Sequence, residues 1–314
     1  MAIRITAFVF ILLHSAAAFA GSLEPAIVVS TDSPRAGQPL VFVVYSHNTD
    51  DEPVPPEKTE TADYASLDSL FDLYQPYLVN ITAYKPMYFL VGADPQNSKF
   101  QISFKYRLLN PEGSLAERHP WVKGFHLAYT QTSFWDLKSA SAPFEDTSYK
   151  PELFFQTANI ETGLSGIKRL FLQAGFQHES NGRGAEDSRS TNFLYVRPIF
   201  IAFNEKNRFG LEVAPRIWAY VENAEDTNPD LADYRGYFDL ELKFGKADSF
   251  VLSTLLRWAN KGGSIEMDLT YPLHRFSDNV QVYLHTQYVN CLAESLLHYQ
   301  ERTEAFRFGF SIVR

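Results

Sequence analysis

The sequence predicts an all-β protein: a 12-stranded antiparallel transmembrane β-barrel of the outer membrane. Three observations carry that expectation. Residues 1–20 have the layout of a secretory signal peptide. After them no run of about eighteen apolar residues occurs, so helices are not the expected spanning elements. Aromatics make up 15% of the chain, with 26 Phe and 17 Tyr, and apolar and polar residues alternate in many short segments. Each segment is about ten residues, the length of a tilted membrane-spanning strand.

In chain order, Arg4 supplies the positive start of the signal peptide, Ala7 to Leu13 its apolar stretch, and Ala18-Phe19-Ala20 a small-x-small cleavage site. Cleavage there starts the mature chain at Gly21, with no cysteine placed to carry a lipid anchor. Cys291 is the single cysteine, so an internal disulfide is impossible. A net charge of -9 argues against a nucleic-acid partner.

Residues 21–60 read as a periplasmic N-terminal extension and linker. Ala26 to Val29 and Leu40 to Val44 are strand-like, parted by the turn signal Asp32 to Gly37, and Asp50 to Glu60 is acidic and proline-containing. Residues 61–314 are expected to form the barrel.

From residue 99 the alternation is persistent. Ile102, Phe104, Tyr106 and Leu108 interleave with Ser103, Lys105 and Arg107, and Phe306, Phe308, Phe310 and Ile312 with Arg307, Gly309 and Ser311. Segments starting near 99, 125, 153, 169, 192, 211, 238, 250, 265, 280, 294 and 306 bring the count to twelve. Glu212, Arg216, Asp239, Glu241, Lys243, Arg257, Glu266 and Asp268 fall on the inward face. With both signs present in a narrow barrel, they are expected to pair and fill the lumen, although a water-filled channel fits the same pattern.

Residues 178–192 stand apart. His178 precedes Ser180 by two places, so both lie on one strand face. A loop rich in Gly, Ser and Asp follows, and the chain returns through Asn192 into Phe193-Leu194-Tyr195-Val196. The hairpin can set a nucleophile, a base and a group orienting the base side by side. Leu170, Leu172, Ala174 and Phe176 share the face of His178 and Ser180, and Leu194 and Val196 that of Asn192. All three thus point outward, toward lipid. A barrel without catalysis, either a channel or a structural and lipid-binding protein, is the alternative, but it gives no reason for this placement.

His178-x-Ser180-Asn181-Gly182-Arg183 with Ser188-Arg189-Ser190-x-Asn192 resembles the outer membrane phospholipase A family. Tyr129-Thr130-Gln131, Pro143-Phe144, Tyr149-x-Pro151, Leu194-Tyr195-x-Arg197, Asn228-Pro229-Asp230 and Glu294-Ser295-Leu296 extend the match from about residue 70 to the C-terminus. The segment between Gln131 and Pro143 is about two residues shorter than in the family. Pro198 and Pro215 fall inside strands, where proline removes a ladder hydrogen bond.

The resemblance implies a calcium-dependent phospholipase A that hydrolyses sn-1 and sn-2 acyl esters of phospholipids and lysophospholipids by a Ser-His-Asn mechanism. It assigns Ser180 as nucleophile, His178 as base and Asn192 as the group orienting it, with the Gly182 N–H as oxyanion donor. It further implies Ca2+ held by the Arg183 carbonyl, the Ser188 hydroxyl and the Ser141 carbonyl. The active form is expected to be a homodimer through Gln131, whose amide would otherwise lie unpaired among Phe125, Leu127 and Tyr129 on the lipid face.

The resemblance also places the site at the extracellular rim. Counting from residue 99 puts the 181–191 loop after strand four, on the periplasmic side. The rim placement is preferred, and it requires Ser180 to end strand five. That needs a real strand before residue 99, within Met87 to Leu90, and a merger of two later segments.

Overall fold

The computed structural model describes residues 76–163, 166–221 and 226–314. The expected signal peptide and the 21–60 extension lie outside the described residues.

Twelve antiparallel strands form a closed wall. β1 comes in two pieces, Ile81–Ala83 and Met87–Gly92, both paired with β2, Ser98–Arg107. The break falls at Tyr84-Lys85-Pro86, where proline cannot donate to the ladder. Then follow β3 (Phe125–Trp135), β4 (Phe144–Gln156), β5 (Arg169–Ser180), β6 (Ser190–Phe203), β7 (Gly210–Tyr220) and β8 (Phe238–Gly245). β9 (Val251–Ala259), β10 (Gly262–Pro272), β11 (Tyr283–Leu292) and β12 (Arg302–Val313) complete the barrel. Each strand pairs with its sequence neighbours, and β12 pairs with β1 to close the wall. Among the described residues no helix is long and apolar enough to cross a membrane.

The total agrees with the sequence reading, but its members differ. β1 is the additional strand ahead of residue 99. The segment 294–301 is a loop, neither a strand of its own nor part of one. Ala293 turns the chain with a φ of +51°. Leu296 and Tyr299 then bury against Leu231 and Ala293 over one end of the barrel rather than facing lipid. A short apolar run fits a strand and a buried loop equally well, which is why alternation misplaced it. β11 also starts only at Tyr283, leaving Val280 to Val282 in the preceding turn. Ser180 therefore ends the fifth strand. Antiparallel alternation then puts the 181–189 turn at the rim remote from both Ile81 and Val313, as the rim placement required.

The faces alternate as expected. Phe104, Leu127, Leu153, Phe176, Leu194, Ile217, Phe308 and Ile312 are exposed on the outside. Aromatic rings gather at both rims: Trp121, Phe125 and Phe155 near the chain ends, and Phe89, Phe100, Trp135 and Phe144 at the remote rim. Such girdles mark the two membrane–water interfaces of a spanning barrel.

Inside, the charges pair. Arg216 holds Asp239, and Arg197 lies between Glu241 and Glu212. Lys99 Nζ sits 3.4 Å from Glu266 and 3.1 Å from Glu294, and Arg307 is 2.7 Å from Glu294. Asp268 is bonded to His285 at 2.7 Å and to Gln287 at 2.8 Å. Pro198 and Pro215 fall together in the one gap of the β6–β7 ladder, between Val196↔Ile217 and Phe200↔Val213. Each proline thus sits where the other strand demands nothing of it.

Glu294 belongs to the loop between β11 and β12 and reaches down to Lys99 and Arg307. Burial opposes its ionisation, but the two cations outweigh burial and hold the carboxyl at about 2, below its ordinary 4.5. A carboxyl depressed on folding contributes stability above its unfolded pKa and loses it as pH falls through the folded one. Urea unfolding in detergent is expected to show stability falling as pH drops from 4.5 toward 2, and Glu294→Gln should flatten that fall.

Candidate active site

His178 and Asn192 are direct cross-strand partners in the β5–β6 ladder, as are Ser180 and Ser190. The His178 Nδ1 atom lies 2.7 Å from Asn192 Oδ1. An amide oxygen can only accept, so Nδ1 carries the proton of this bond, which in a neutral ring leaves the lone pair on Nε2. Ser180 lies two residues further along the same outward face, half-buried like His178. Among the described residues no hydrogen bond joins Ser180 Oγ to the ring. Catalytic contacts are commonly loose without substrate and tighten in its complex.

The neighbouring strand yields at this point. The β4–β5 ladder pairs Tyr149 with Ser180 and then Glu152 with Gln177, skipping Lys150 and Pro151. Pro151, which faces His178 in this register, has no N–H to donate, and the ladder is interrupted there. On the inward face between them, Glu179 is 3% exposed and paired with Arg235 at 2.7 Å and Lys150 at 3.6 Å. Strand alternation thus puts the carboxylate inside and the histidine and serine outside.

Asn181 organises the turn that follows. It is 4% exposed although residues 182–187 are all exposed. Its Oδ1 accepts from the N–H of Arg183 at 3.3 Å and of Arg189 at 3.0 Å, and its Nδ2 donates to the Asp187 carbonyl at 2.8 Å. Gly182 has a φ of +67°, and an added Cβ would stand 2.8 Å from the Tyr149 ring. The position therefore demands glycine on both counts.

The Arg183 guanidinium bonds the Glu145 carbonyl and lies 3.7 Å from Asp187. Arg189 gathers the carbonyls of Glu186 and Ser188. Beyond the hairpin Asn228, fully buried, pairs its amide with the Ser190 backbone in both directions, at 3.2 Å and 3.1 Å. It stands in for a strand where β7 has ended.

The remaining candidates lie apart from this cluster. Ser141 is exposed in the β3–β4 turn with a φ of +70°, next to Ala142 at +41°. That turn is fixed by Trp135 Nε1 donating to the Ala142 carbonyl at 2.7 Å and by the Asp136 carboxylate accepting from the N–H of Lys138 and Ser139. Gln131 corrects the expectation of an unpaired amide. Its Oε1 accepts from Tyr129 at 3.1 Å and its Nε2 donates to Ser133 at 3.2 Å. Side chains two apart on one strand share a face, so the amide finds partners on its own strand. Gln131 pairs across the wall with Tyr149, and Tyr149 with Ser180, so all three stand at one level of the barrel.

Sequence reasoning missed Asn181, Asn228, Tyr149 and Pro151 as parts of this site, although all four stand in the motifs quoted for the resemblance. A further signal for Asn181 was its place before a glycine at a strand end, where Asn side chains bond the backbone of the turn they begin. Gly182→Ala is expected to destabilise the fold by about 1–2 kcal/mol, the cost of a left-handed L-residue. Equilibrium urea unfolding of the variant in detergent checks this.

Residues 79–312 match a family model described as Phospholipase A1. Phospholipase A1 of Escherichia coli strain K12 is 34% identical over 209 residues, which are 64% of this chain and 64% of the relative. The match thus spans less than two thirds of that relative's length. Among solved structures, outer membrane phospholipase A from Escherichia coli superimposes with a TM-score of 0.61 at 28% identity, covering 74% of this chain and 98% of that one. It is also similar as an active-site asparagine-to-alanine mutant, with a TM-score of 0.60. The Salmonella typhi outer membrane phospholipase dimer with bound calcium gives a TM-score of 0.60 at 26% identity, covering 74% of this chain and 92% of that one. The closed barrel and these relatives together make this an outer-membrane β-barrel, and the chain belongs to the phospholipase A1 family.

Proposed function

We propose that the protein is a calcium-dependent phospholipase A that hydrolyses sn-1 and sn-2 acyl esters of phospholipids and lysophospholipids from the lipid-facing side of its barrel. The observation that carries this reading is the His178–Asn192 hydrogen bond on the outward face, with Ser180 two residues further along it. A polar group facing hydrocarbon is unfavourable unless it is hydrogen-bonded, as His178 and Asn192 are to each other. An acyl ester at the membrane edge is the substrate this face can meet.

In the proposed reaction His178 Nε2 takes the Ser180 hydroxyl proton as Ser180 Oγ attacks the acyl carbonyl. Asn192 keeps the ring in the tautomer that leaves Nε2 open. The protonated ring then gives its proton to the leaving glycerol oxygen. Water, deprotonated by the same nitrogen, releases the fatty acid from Ser180. The N–H of Gly182 is the proposed donor to the oxyanion, and the missing Cβ lets the backbone come close. The asparagine mutated in the active site of the Escherichia coli enzyme supports the part given to Asn192.

The donor set suits calcium. Among the described residues no three His, Cys, Asp or Glu side chains gather to hold a metal, and the proposed ligands are carbonyl and hydroxyl oxygens. The Ser188 hydroxyl is half-buried and the Arg183 carbonyl lies in an exposed stretch, while neighbouring carbonyls at 186, 187 and 188 are engaged by Arg189 and Asn181. Oxygen ligands of this kind are what calcium prefers. Arg183 and Ser188, with Ser141 from a second copy, would hold it, and calcium bound there supplies positive charge beside the carbonyl under attack. The calcium-bound Salmonella typhi dimer supports both parts of this reading.

Dimerisation through Gln131 rests on the outward polar stripe of Tyr129, Gln131, Ser133, Thr147 and Tyr149, not on an orphaned amide. An isologous interface lets two such stripes meet, each remaining donor finding an acceptor on the other copy.

Ser180→Ala is expected to lose on the order of 10⁴-fold or more of phospholipid hydrolysis in detergent while the barrel still forms, and Asn192→Ala to lose less than His178→Ala. Near-normal turnover by Ser180→Ala would sink the assignment. Chelation of calcium should cost roughly 10²–10³-fold in rate, the worth of one oxyanion stabiliser. Gln131→Ala should weaken the calcium-dependent dimer in sedimentation, and full activity from a chelator-treated monomer contradicts the scheme.

A further inference from the structure

We infer that Asn181 is a positioning residue for calcium: its buried carboxamide sets the spacing of the Arg183 and Ser188 oxygens. The inference rests on the calcium reading above and names a residue that reading leaves without a role. Asn181 follows the nucleophile directly and does not bear on the reacting atoms itself.

The nine residues 181–189 between β5 and β6 carry the candidate oxyanion donor and both of this chain's loop ligands. A stretch of that length, exposed from 182 to 187, has much backbone freedom to lose before it can present two oxygens to one ion. The main-chain N–H of Asn181 donates to the Arg189 carbonyl at 3.1 Å and closes the turn at its base. The side chain then crosses the interior of the turn. Its bond from the Arg183 N–H fixes the peptide plane entering Arg183. Its bond to the Asp187 carbonyl fixes the plane that leads into Ser188. Ser188 is tied back in turn by its own N–H to the Ala185 carbonyl at 3.1 Å. Both ligand residues are therefore fixed at the peptide preceding them, by one side chain.

The chemistry of the amide is specific to the task. Two N–H groups need an acceptor and one carbonyl needs a donor, and a carboxamide offers both without charge. Aspartate keeps the acceptor but turns a second oxygen toward the Asp187 carbonyl. Alanine leaves all three backbone groups without their partner in the turn interior. Burial to 4% exposure is affordable for the amide only because these bonds are made.

The test measures calcium binding directly, by isothermal titration calorimetry of wild type, Asn181→Ala and Asn181→Asp in detergent micelles. Heat-modified gel mobility reports the barrel, and hydrolysis is followed across calcium concentration. Asn181→Ala is expected to weaken calcium binding about 10- to 100-fold, as loss of a group that orients metal ligands does. Its gel mobility should match wild type, and its hydrolysis should recover at saturating calcium. Asn181→Asp is expected to bind calcium more weakly than wild type despite its added negative charge, and it carries the test if the alanine variant does not fold. Unchanged calcium binding in Asn181→Ala overturns the inference. So does loss of hydrolysis that no calcium concentration restores, or tighter binding in Asn181→Asp, which would mean the side chain acts by charge. Wild-type protein that hydrolyses phospholipid without binding calcium overturns the calcium reading itself, and that result is read without either variant.

Discussion

In hydrocarbon a backbone N–H has no water to fall back on, so every strand must find a neighbour on both sides. Closure of β12 onto β1 meets that demand for the whole wall. The exceptions are placed with care. Pro198 and Pro215 share one gap between β6 and β7, and Pro86 divides β1 into two pieces that both pair with β2. Pro151 opens the ladder beside His178. The first two sites cost little: Pro198 and Pro215 face each other across their gap, and beside Pro86 the Lys85 N–H is met by Ser103 Oγ at 3.2 Å and the Pro86 carbonyl by Gln101 Nε2 at 2.8 Å. The third interrupts the ladder on one side of His178, next to the outward face that carries Ser180.

Strand alternation then sorts polarity. Odd residues of β5 carry Gln173, Gln177 and Glu179 into the lumen, and even ones carry Phe176, His178 and Ser180 outward. Buried ion pairs in the lumen add little net stability over an apolar filling, because desolvation offsets their attraction. Lys99, Glu266, Glu294 and Arg307 share one network, so removing any one leaves a buried partner short of its counter-charge. The loop from β11 to β12 joins that network through Glu294. It meets the wall again where Leu297 donates to Asp146, beside the residues that hold Arg183. The lumen therefore steadies the rim on which the hairpin stands.

Much of this was legible in the sequence, because period-2 alternation reports a face wherever one side of a strand meets lipid. Ile102, Phe104, Phe308 and Ile312 were placed correctly for that reason. The hairpin was legible too, since His178, Ser180 and Asn192 depend on spacing alone. The strand 87–92 was almost hidden: it is short, and Pro86 breaks the pattern before it begins. Leu296 and Tyr299 misled because burial under a loop and exposure to lipid select the same residues. Gln131 was read as orphaned because Ser133, two places on, was not weighed as its partner. Asn181 and Asn228 carry no periodic signal, and their importance lies in which backbone atoms they reach. That is a property of the folded turn and leaves only a faint trace in composition.

The hairpin and the wall around it are rich in neutral amides, and the membrane gives a reason. Asn192 orients the histidine, Asn181 and Asn228 brace the backbone on either side, and Gln131 stands two strands away at the level of Ser180. A carboxylate in the place of Asn192 would hold an imidazolium better, yet on a lipid face it pays desolvation throughout the resting state. The nearest carboxylate on β5 is Glu179, turned inward to Arg235 and Lys150 where its charge is met. An amide offers direction without charge, so it fixes a tautomer and a turn at no electrostatic cost to the wall. Charge on the outer side of the site stands in the turn, where Arg183, Glu186 and Asp187 are exposed and the half-buried Arg189 bonds the Glu186 and Ser188 carbonyls.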